Sequence, residues 1–382
     1  MRCFLILLLA AHAAIAQNSY SASHAWWEPN QEEFFPWDSE YDNPTGLLRI
    51  ANPKGSFRTN GHPFFVPLGT NGRACITCHQ PSNAMSLSRE TIRKRWLDTD
   101  GKDPLFAAID GSNCPTLPQS QRASHSLLLD RGLFRVSLPW PPKDVTPDFR
   151  IEVVNDPTTC NADPRQISVY RRPRMSANLA TLTPGPNGPV LMADGRARSL
   201  RAQAIDAVLV HQQAAHPPTD AQLARILDFE LQVVATQYAD HRGGLTAQFH
   251  QPEPGTTGAF RASVHRGRDL FQNRCANCHQ PGTARWARLP QAESPELPLF
   301  KITCNNGRVT TTQDPGRALI TGKCQDVGAI VIPQFHGLAA RAPYFTNGSA
   351  ATVEDLIDSY QRLDIRFQPE EKRDLVNYLL SL

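Results

Sequence analysis

A chain of 382 residues with 40% apolar residues is long enough to bury cores of ordinary size in two domains. Its formal net charge of +3 is too small to mark a nucleic-acid binder, though a mild basic excess suits an acidic electron-transfer partner. The 32 prolines crowd residues 136–190 and 281–300 and argue for long irregular connections around short helices, with little room for sheet.

In chain order, Arg2 is followed by an apolar run over residues 4–11 and by Ala14-Ile15-Ala16 before Gln17, the pattern of an export signal over 1–16. The run is too short to span a bilayer, and no later stretch has the roughly eighteen uninterrupted apolar residues of a transmembrane helix. A secreted, periplasmic chain with no transmembrane segment is expected. Residues 17–60 carry Trp26, Trp27, Phe34, Phe35 and Trp37 without a period and read as an arm lying on the body. A helical pattern covers 88–96, and a long insertion follows over 97–170, in which 149–154 is expected to pair with 132–136 as a small hairpin. Ser199 caps a helix running to about residue 215, stopped by Pro217-Pro218, and a second is expected over 219–237, with Leu223, Ile226, Leu227, Leu231 and Val234 on its apolar face. Residues 264–271 form a helix with Gly267, Leu270 and Phe271 on one face. Thr352 caps another that presents Val353, Leu356, Ile357 and Tyr360, and Pro369 starts a closing helix burying Leu375, Val376, Leu379 and Leu380.

Two copies of one pentapeptide carry the chemistry. Cys75-Ile76-Thr77-Cys78-His79 and Cys275-Ala276-Asn277-Cys278-His279 both read C-x-x-C-H, the attachment signature of c-type haem. Two cysteines three apart on one turn can each form a thioether with a porphyrin vinyl group, and the following histidine then ligates the iron. Zinc is the rival for a C-x-x-C pair, but it needs four ligands from two clustered pairs and leaves a histidine after each second cysteine unexplained. The expected cofactors are two covalently bound haem c groups. Their attachment outside the cytoplasm agrees with an export signal.

Removing Cys3 with the signal and four cysteines with the haems leaves Cys114, Cys160, Cys304 and Cys324. Each pair sits in one stretch flanked by turn residues, so Cys114 with Cys160 and Cys304 with Cys324 is the simplest disulfide pairing, free thiols being the alternative. The expected fold is mainly α: two cytochrome c-like haem domains with long irregular loops and a small insertion. The divisions are a signal over 1–16, an arm over 17–60, an N-terminal haem domain over 61–255 with its insertion at 97–170, and a C-terminal haem domain over 256–382.

Residues 190–204, VLMADGRARSLRAQA, and 337–361, GLAARAPYFTNGSAATVEDLIDSYQ, resemble the inter-haem segment and C-terminal signature of the bacterial di-haem cytochrome c peroxidase family. That family includes MauG-type proteins, which use two haems to oxidise a tryptophan pair in a partner protein. The resemblance covers most of 65–382 and leaves out the insertion. It implies that the haem on His279 accepts electrons from a small redox protein of the cytochrome c or cupredoxin type. These would pass to the haem on His79, which reduces peroxide. Gln203 matches a distal glutamine that orients peroxide, whereas the place of the family's glutamate holds Gln213, which exchanges no proton at neutral pH.

His211 lies on the same helix, roughly 80° around from Gln203 after two turns, so both can face one cavity. It reads as an acid/base group, as an iron ligand closing the site, or as a surface histidine near a helix end. Met85, six residues past His79, is a further ligand candidate. Tyr360 stands where the peroxidases place an axial methionine and MauG-type relatives a tyrosine, a change that would lower the potential of that haem; it also completes an apolar helix face and reads as core. Ala193 precedes Asp194-Gly195-Arg196 where the family has a tryptophan between the haems, and Trp140 is the substitute considered. The family's calcium site is doubtful here, because Arg171 and Arg341 occupy matching positions and only Pro343 is kept; two guanidinium groups repel a divalent ion. The implied activity is peroxidase-like, with a non-catalytic di-haem carrier or MauG-type oxidation of a partner as alternatives.

Overall fold

The computed structural model describes residues 26–181, 190–239, 258–279 and 286–382. The expected export signal lies outside the described residues. No helix among those described is long and apolar enough to cross a membrane.

The mainly α expectation is corrected by the structure. Among the described residues 33% are helix and 19% strand, with the strands in five small sheets. Proline excludes sheet only at the positions it occupies. Within the strands of the described residues the sole proline is Pro139, at the last position of Phe134–Pro139.

Residues 26–60, the described part of the segment read as an arm, form a wall of the first half. Strands Asp38–Asn43 and Gly46–Ala51 form an antiparallel hairpin, and Val234–Ala239 pairs with the other edge of the second. Alternation turns Leu48 and Ile50 inward, both fully buried. Trp27 and Phe35 join them, and Phe229, from helix Asp220–Gln232, meets the ring of Phe35 at 5.1 Å and that of Phe64 at 4.7 Å. This aromatic cluster supports the first C-x-x-C-H motif, whose Ile76 is fully buried in it.

The expected hairpin in the insertion is also corrected. Phe134–Pro139 pairs with Gln166–Arg171, and Phe149–Asn155 pairs with the remote strand Leu299–Cys304, which in turn carries Val309–Thr312. Local reasoning favours a near neighbour, but Phe300 and Ile302 offer the apolar face that Phe149 and Ile167 need. Both disulfides form as expected, Cys114 to Cys160 with Cα atoms 5.4 Å apart and Cys304 to Cys324 at 5.8 Å.

Helix starts follow their local signals. Ser88 caps Arg89–Thr99, Ser199 caps Leu200–Val210, Thr352 caps Val353–Ser359, and Pro369 opens Pro369–Leu380. Two helices end earlier than periodicity suggests: the first turns at His211 and Gln213, and the second stops at Gln232, where the β-branched run Val233-Val234 enters the sheet. In the second half, helix Gly258–Arg274 leads into Cys275 and crosses Pro369–Leu380 at Gly267. A Cβ there would lie 2.0 Å from the carbonyl oxygen of Asp374, so only glycine allows the crossing.

Candidate functional site

The first motif begins on a short helical turn, Cys75–Thr77, closed by the Thr77 hydroxyl accepting from the Ala74 amide at 3.0 Å. Cys75 and Cys78 are free thiols. His79 Nδ1 lies 2.9 Å from the Met85 carbonyl oxygen. A carbonyl only accepts, so Nδ1 carries the proton and Nε2 keeps its lone pair. Burial lowers the imidazole pKa and keeps the ring neutral. A neutral imidazole anchored at Nδ1, with Nε2 free, is the form that binds a metal. Met85 contributes its backbone to this arrangement, while its side chain is fully buried in the aromatic core.

Beside this motif lies a constellation that the sequence did not disclose. Arg73, 1% exposed, donates through Nε to the Pro104 carbonyl and through Nη2 to that of Leu105, both at 2.7 Å, and its Nη1 pairs with Asp110 Oδ1. The other carboxylate oxygen of Asp110 accepts from His211 Nδ1 at 2.5 Å. Burial opposes ionisation of Asp110, but the Arg73 charge and the His211 hydrogen bond hold its carboxyl down at about 2. An ionised carboxylate cannot donate, so His211 carries its proton on Nδ1 and presents Nε2 outward. The charge His211 can carry also depresses the pKa of His79, which places the two imidazoles within electrostatic reach.

The loop before the motif is stitched to the same helix end. Thr70 N–H donates to the Gln212 carbonyl at 3.1 Å, Leu68 N–H donates to Gln212 Oε1 at 2.9 Å, and Asn71 donates to the His211 carbonyl at 2.8 Å. Gly69 is required there, since a Cβ would sit 1.8 Å from the Gln212 carbonyl oxygen. Gln203 sits two turns earlier on the helix, half-buried, and among the described residues its amide makes no hydrogen bond. Gln213 is exposed and faces Asn71 at 3.2 Å.

Glu230 is a second residue that sequence reasoning missed. It is buried on helix Asp220–Gln232, within electrostatic reach of Cys75, and among the described residues its Oε2 has no partner; burial pushes its carboxyl up to about 8. Its signal was present, because Glu230 falls at the i+7 position of the apolar face that starts at Leu223.

In the second motif His279 Nε2 lies 3.1 Å from the Tyr360 hydroxyl, and the buried Nδ1 atom has no partner among the described residues. Burial lowers the His279 pKa to about 4 and raises that of Tyr360, so a neutral phenol donates to a neutral imidazole. The structure thus brings together the two residues named for this site. The Phe335 ring lies 4.7 Å from His279. Burial pushes Cys78 up to about 12 and Cys275 up to about 11, and it raises Cys75 as well, so these thiols are protonated at neutral pH. Among the described residues no group of three or more His, Cys, Asp and Glu side chains converges.

Short bonds connect the motifs. The Met85 carbonyl that holds His79 also accepts from Ser176 N–H at 2.9 Å; Asn83 donates to the Ala340 carbonyl at 2.8 Å, and Gln334, next to Phe335, donates to that of Ala177 at 2.9 Å. Trp140 lies away from this seam, its ring 5.1 Å from Phe149 in the core behind Cys304–Cys324. The tryptophan beside Ala193 is Trp286. Its ring lies where a Cβ on Gly195 would come within 2.3 Å, and its strand partner Val331 donates to the Ala193 carbonyl at 2.9 Å. At the place compared with a calcium site, Arg171 donates to Asp314 at 2.7 and 2.8 Å and to Asp194 at 2.5 Å.

No family model matches the chain, and no curated protein does. Among solved structures it is similar to a MauG-like protein associated with microbial copper homeostasis, at 18% identity and a TM-score of 0.37, over 56% of this chain and 74% of that one. It is also similar to the hydrazine synthase of Kuenenia stuttgartiensis, at 15% identity and a TM-score of 0.36, over 78% and 93% of the two chains. At such scores neither likeness bears on activity, which has to be read from the residues themselves.

Proposed function

We propose that both C-x-x-C-H motifs hold covalently attached haem c, with His79 and His279 as iron ligands, and that the chain is an exported, periplasmic di-haem oxidoreductase that reduces peroxide. The observation that carries this reading is the first motif itself: two free, protonated thiols on one turn precede an imidazole whose Nδ1 is tied to Met85 and whose Nε2 is open. Bound iron would supply the redox chemistry, taking peroxide at the first motif and electrons from a small cytochrome c or cupredoxin-type donor at the second.

The chain's own residues handle orientation and protons. Asp110 fixes His211 with Nε2 outward. From there His211 takes a proton from one peroxide oxygen and returns it to the other, so that H2O2, two electrons and two protons give two waters. Gln203 supplies an amide that orients the peroxide from the same helix. Tyr360 is the proposed sixth ligand at the second motif. The division into a first haem-bearing part over 61–255 and a second over 256–382 belongs to this proposal.

The test is twofold. The mature protein from a host with a working maturation system should keep its colour through acid-acetone extraction and carry the mass of two haems. Its reduced form should be reoxidised by peroxide faster than free haem allows. A mass equal to bare polypeptide would end the reading. A second reading, a non-catalytic electron carrier, draws support from Tyr360 lying on His279 Nε2 at 3.1 Å. Purely low-spin ferric EPR signals, with no reaction toward peroxide, would select it.

A further inference from the structure

We infer that Arg172, Arg174 and Arg341 form a cradle for carboxylate groups in the seam between the two motifs, and that the carboxylates it takes are haem propionates. The inference rests on the di-haem reading above.

Arg172 and Arg174 follow strand Gln166–Arg171, and Arg341 ends the helical turn Leu338–Ala340; all three are half-buried. None has a carboxylate within ion-pair distance among the described residues, although the neighbouring Arg171 has two. Their protein partners are backbone carbonyls. Arg172 donates to Gly132 at 3.1 Å, to Arg341 at 3.0 Å and to Leu87; Arg341 donates to Gln334 at 2.6 Å and to His336 at 3.4 Å; Arg174 donates to Val331. A guanidinium has five N–H donors, so Arg174 in particular has most of its capacity unused.

Carbonyl dipoles do not neutralise three converging cations. Burial, then the charge of Arg341, pulls Arg172 down to about 9, and burial brings Arg174 and Arg341 to about 10. Asp194 is the nearest compensating charge for Arg174, but it is engaged by Arg171 and Arg196. A fold that keeps three guanidinium groups together without a carboxylate is set up for an anion from outside the polypeptide. The planar fork suits a carboxylate.

Position identifies the source. Ser86 Oγ donates to the Pro173 carbonyl at 3.1 Å and Ser176 N–H to that of Met85, so the Arg172–Arg174 stretch lies on the loop that anchors His79. Arg341 reaches back to the Gln334 and His336 carbonyls, which flank the Phe335 ring on His279. Carboxylates needed here must come from groups attached at both motifs, and each haem carries two propionates.

The experiment compares holoprotein with the variants Arg174→Gln, Arg341→Gln and Arg174→Lys, using Arg165→Gln at an exposed pair as control. Optical haem content is read first. Propionate-bending bands by resonance Raman and the midpoint potentials follow. The glutamine variants should shift a propionate band and lower a haem potential, 59 mV for each tenfold change in the ferric-to-ferrous ratio. Arg174→Lys should keep the potential closer to wild type while still shifting the band, and it remains informative if a glutamine variant fails to mature. Two bound haems with bands and potentials unchanged in all three variants would overturn the cradle. So would a wild-type potential that saturates with added acetate while the propionate bands stay fixed, since the site would then take a free carboxylate. A wild-type protein without haem would sink the di-haem reading itself.

Discussion

Replacing Arg171 by methionine removes one cation from between two buried carboxylates. Arg171 is 3% exposed; it grips Asp314 with Nε and Nη2 and Asp194 with Nη1. After the change Asp194 still has Arg196 at 2.9 Å, whereas Asp314 keeps only weaker dipolar partners such as the Gly316 amide at 2.8 Å. Breaking a buried pair from one side costs about 3–5 kcal/mol, and the retained Arg196 contact points to the lower part of that range. Its pH dependence has a definite sign. In the native protein burial opposes ionisation of Asp194, but Arg171 and then Arg196 lower its pKa below 3.8. Its contribution is therefore present above 3.8 and is lost as pH falls through the native value. In the variant the orphaned carboxylate is relieved by protonation, so the gap between the two proteins is widest near neutrality and narrows in acid. Guanidinium chloride unfolding at pH 7 and at pH 4, followed by tryptophan fluorescence, measures both quantities. Arg171→Met/Asp314→Asn should recover most of the loss. A loss under about 1 kcal/mol at pH 7, or a gap that fails to narrow in acid, would refute the assignment of Arg171 as the internal counter-charge.

Asp110→Asn should leave haem content intact and lower peroxide turnover about 10- to 100-fold, with a shifted pH profile, because His211 loses the carboxylate that fixes its tautomer; unchanged turnover would remove Asp110 from the site. Glu230 contributes stability below 4.5 that is lost as pH rises through about 8, so the wild type should weaken by up to roughly 1.4 kcal/mol per pH unit across that window, and Glu230→Gln should flatten the curve in urea titrations. Tyr360→Met should raise the potential of the second haem in spectroelectrochemistry, since a thioether favours the ferric state less than a phenolate oxygen; no change would mean that Tyr360 is not on the iron. EDTA should leave the melting temperature unaltered, because the Arg171 guanidinium stands between Asp194 and Asp314, where a divalent ion would be repelled.

What could be read from the sequence, and what could not, divides by the range of the interaction that encodes it. Ser88, Ser199 and Thr352 announce their helices because a cap bonds an amide three residues on, and Cys304 finds Cys324 across a separation of 20 residues. Met85 is six residues from His79, close enough for its carbonyl to reach Nδ1 through one turn, but the sequence pointed to it only as an iron ligand; Tyr360 is 81 residues from His279 and was named for this site through resemblance. Asp110 and His211 are 101 residues apart, and neither a period nor a spacing marks Asp110, whose role arises only when Arg73 folds the insertion onto the helix end. The same reasoning explains the fold class. Proline was counted by region, but a strand is vetoed by position, and Phe149–Asn155 found its partner at Leu299–Cys304 because those two segments contain none. That pairing, with Arg171 bound to Asp314, ties the insertion to the second half of the chain. The insertion, which the resemblance leaves out, is therefore tied by strand pairing to the second half of the chain rather than standing apart from it. Mutations there should disturb communication between the two sites before they disturb either alone.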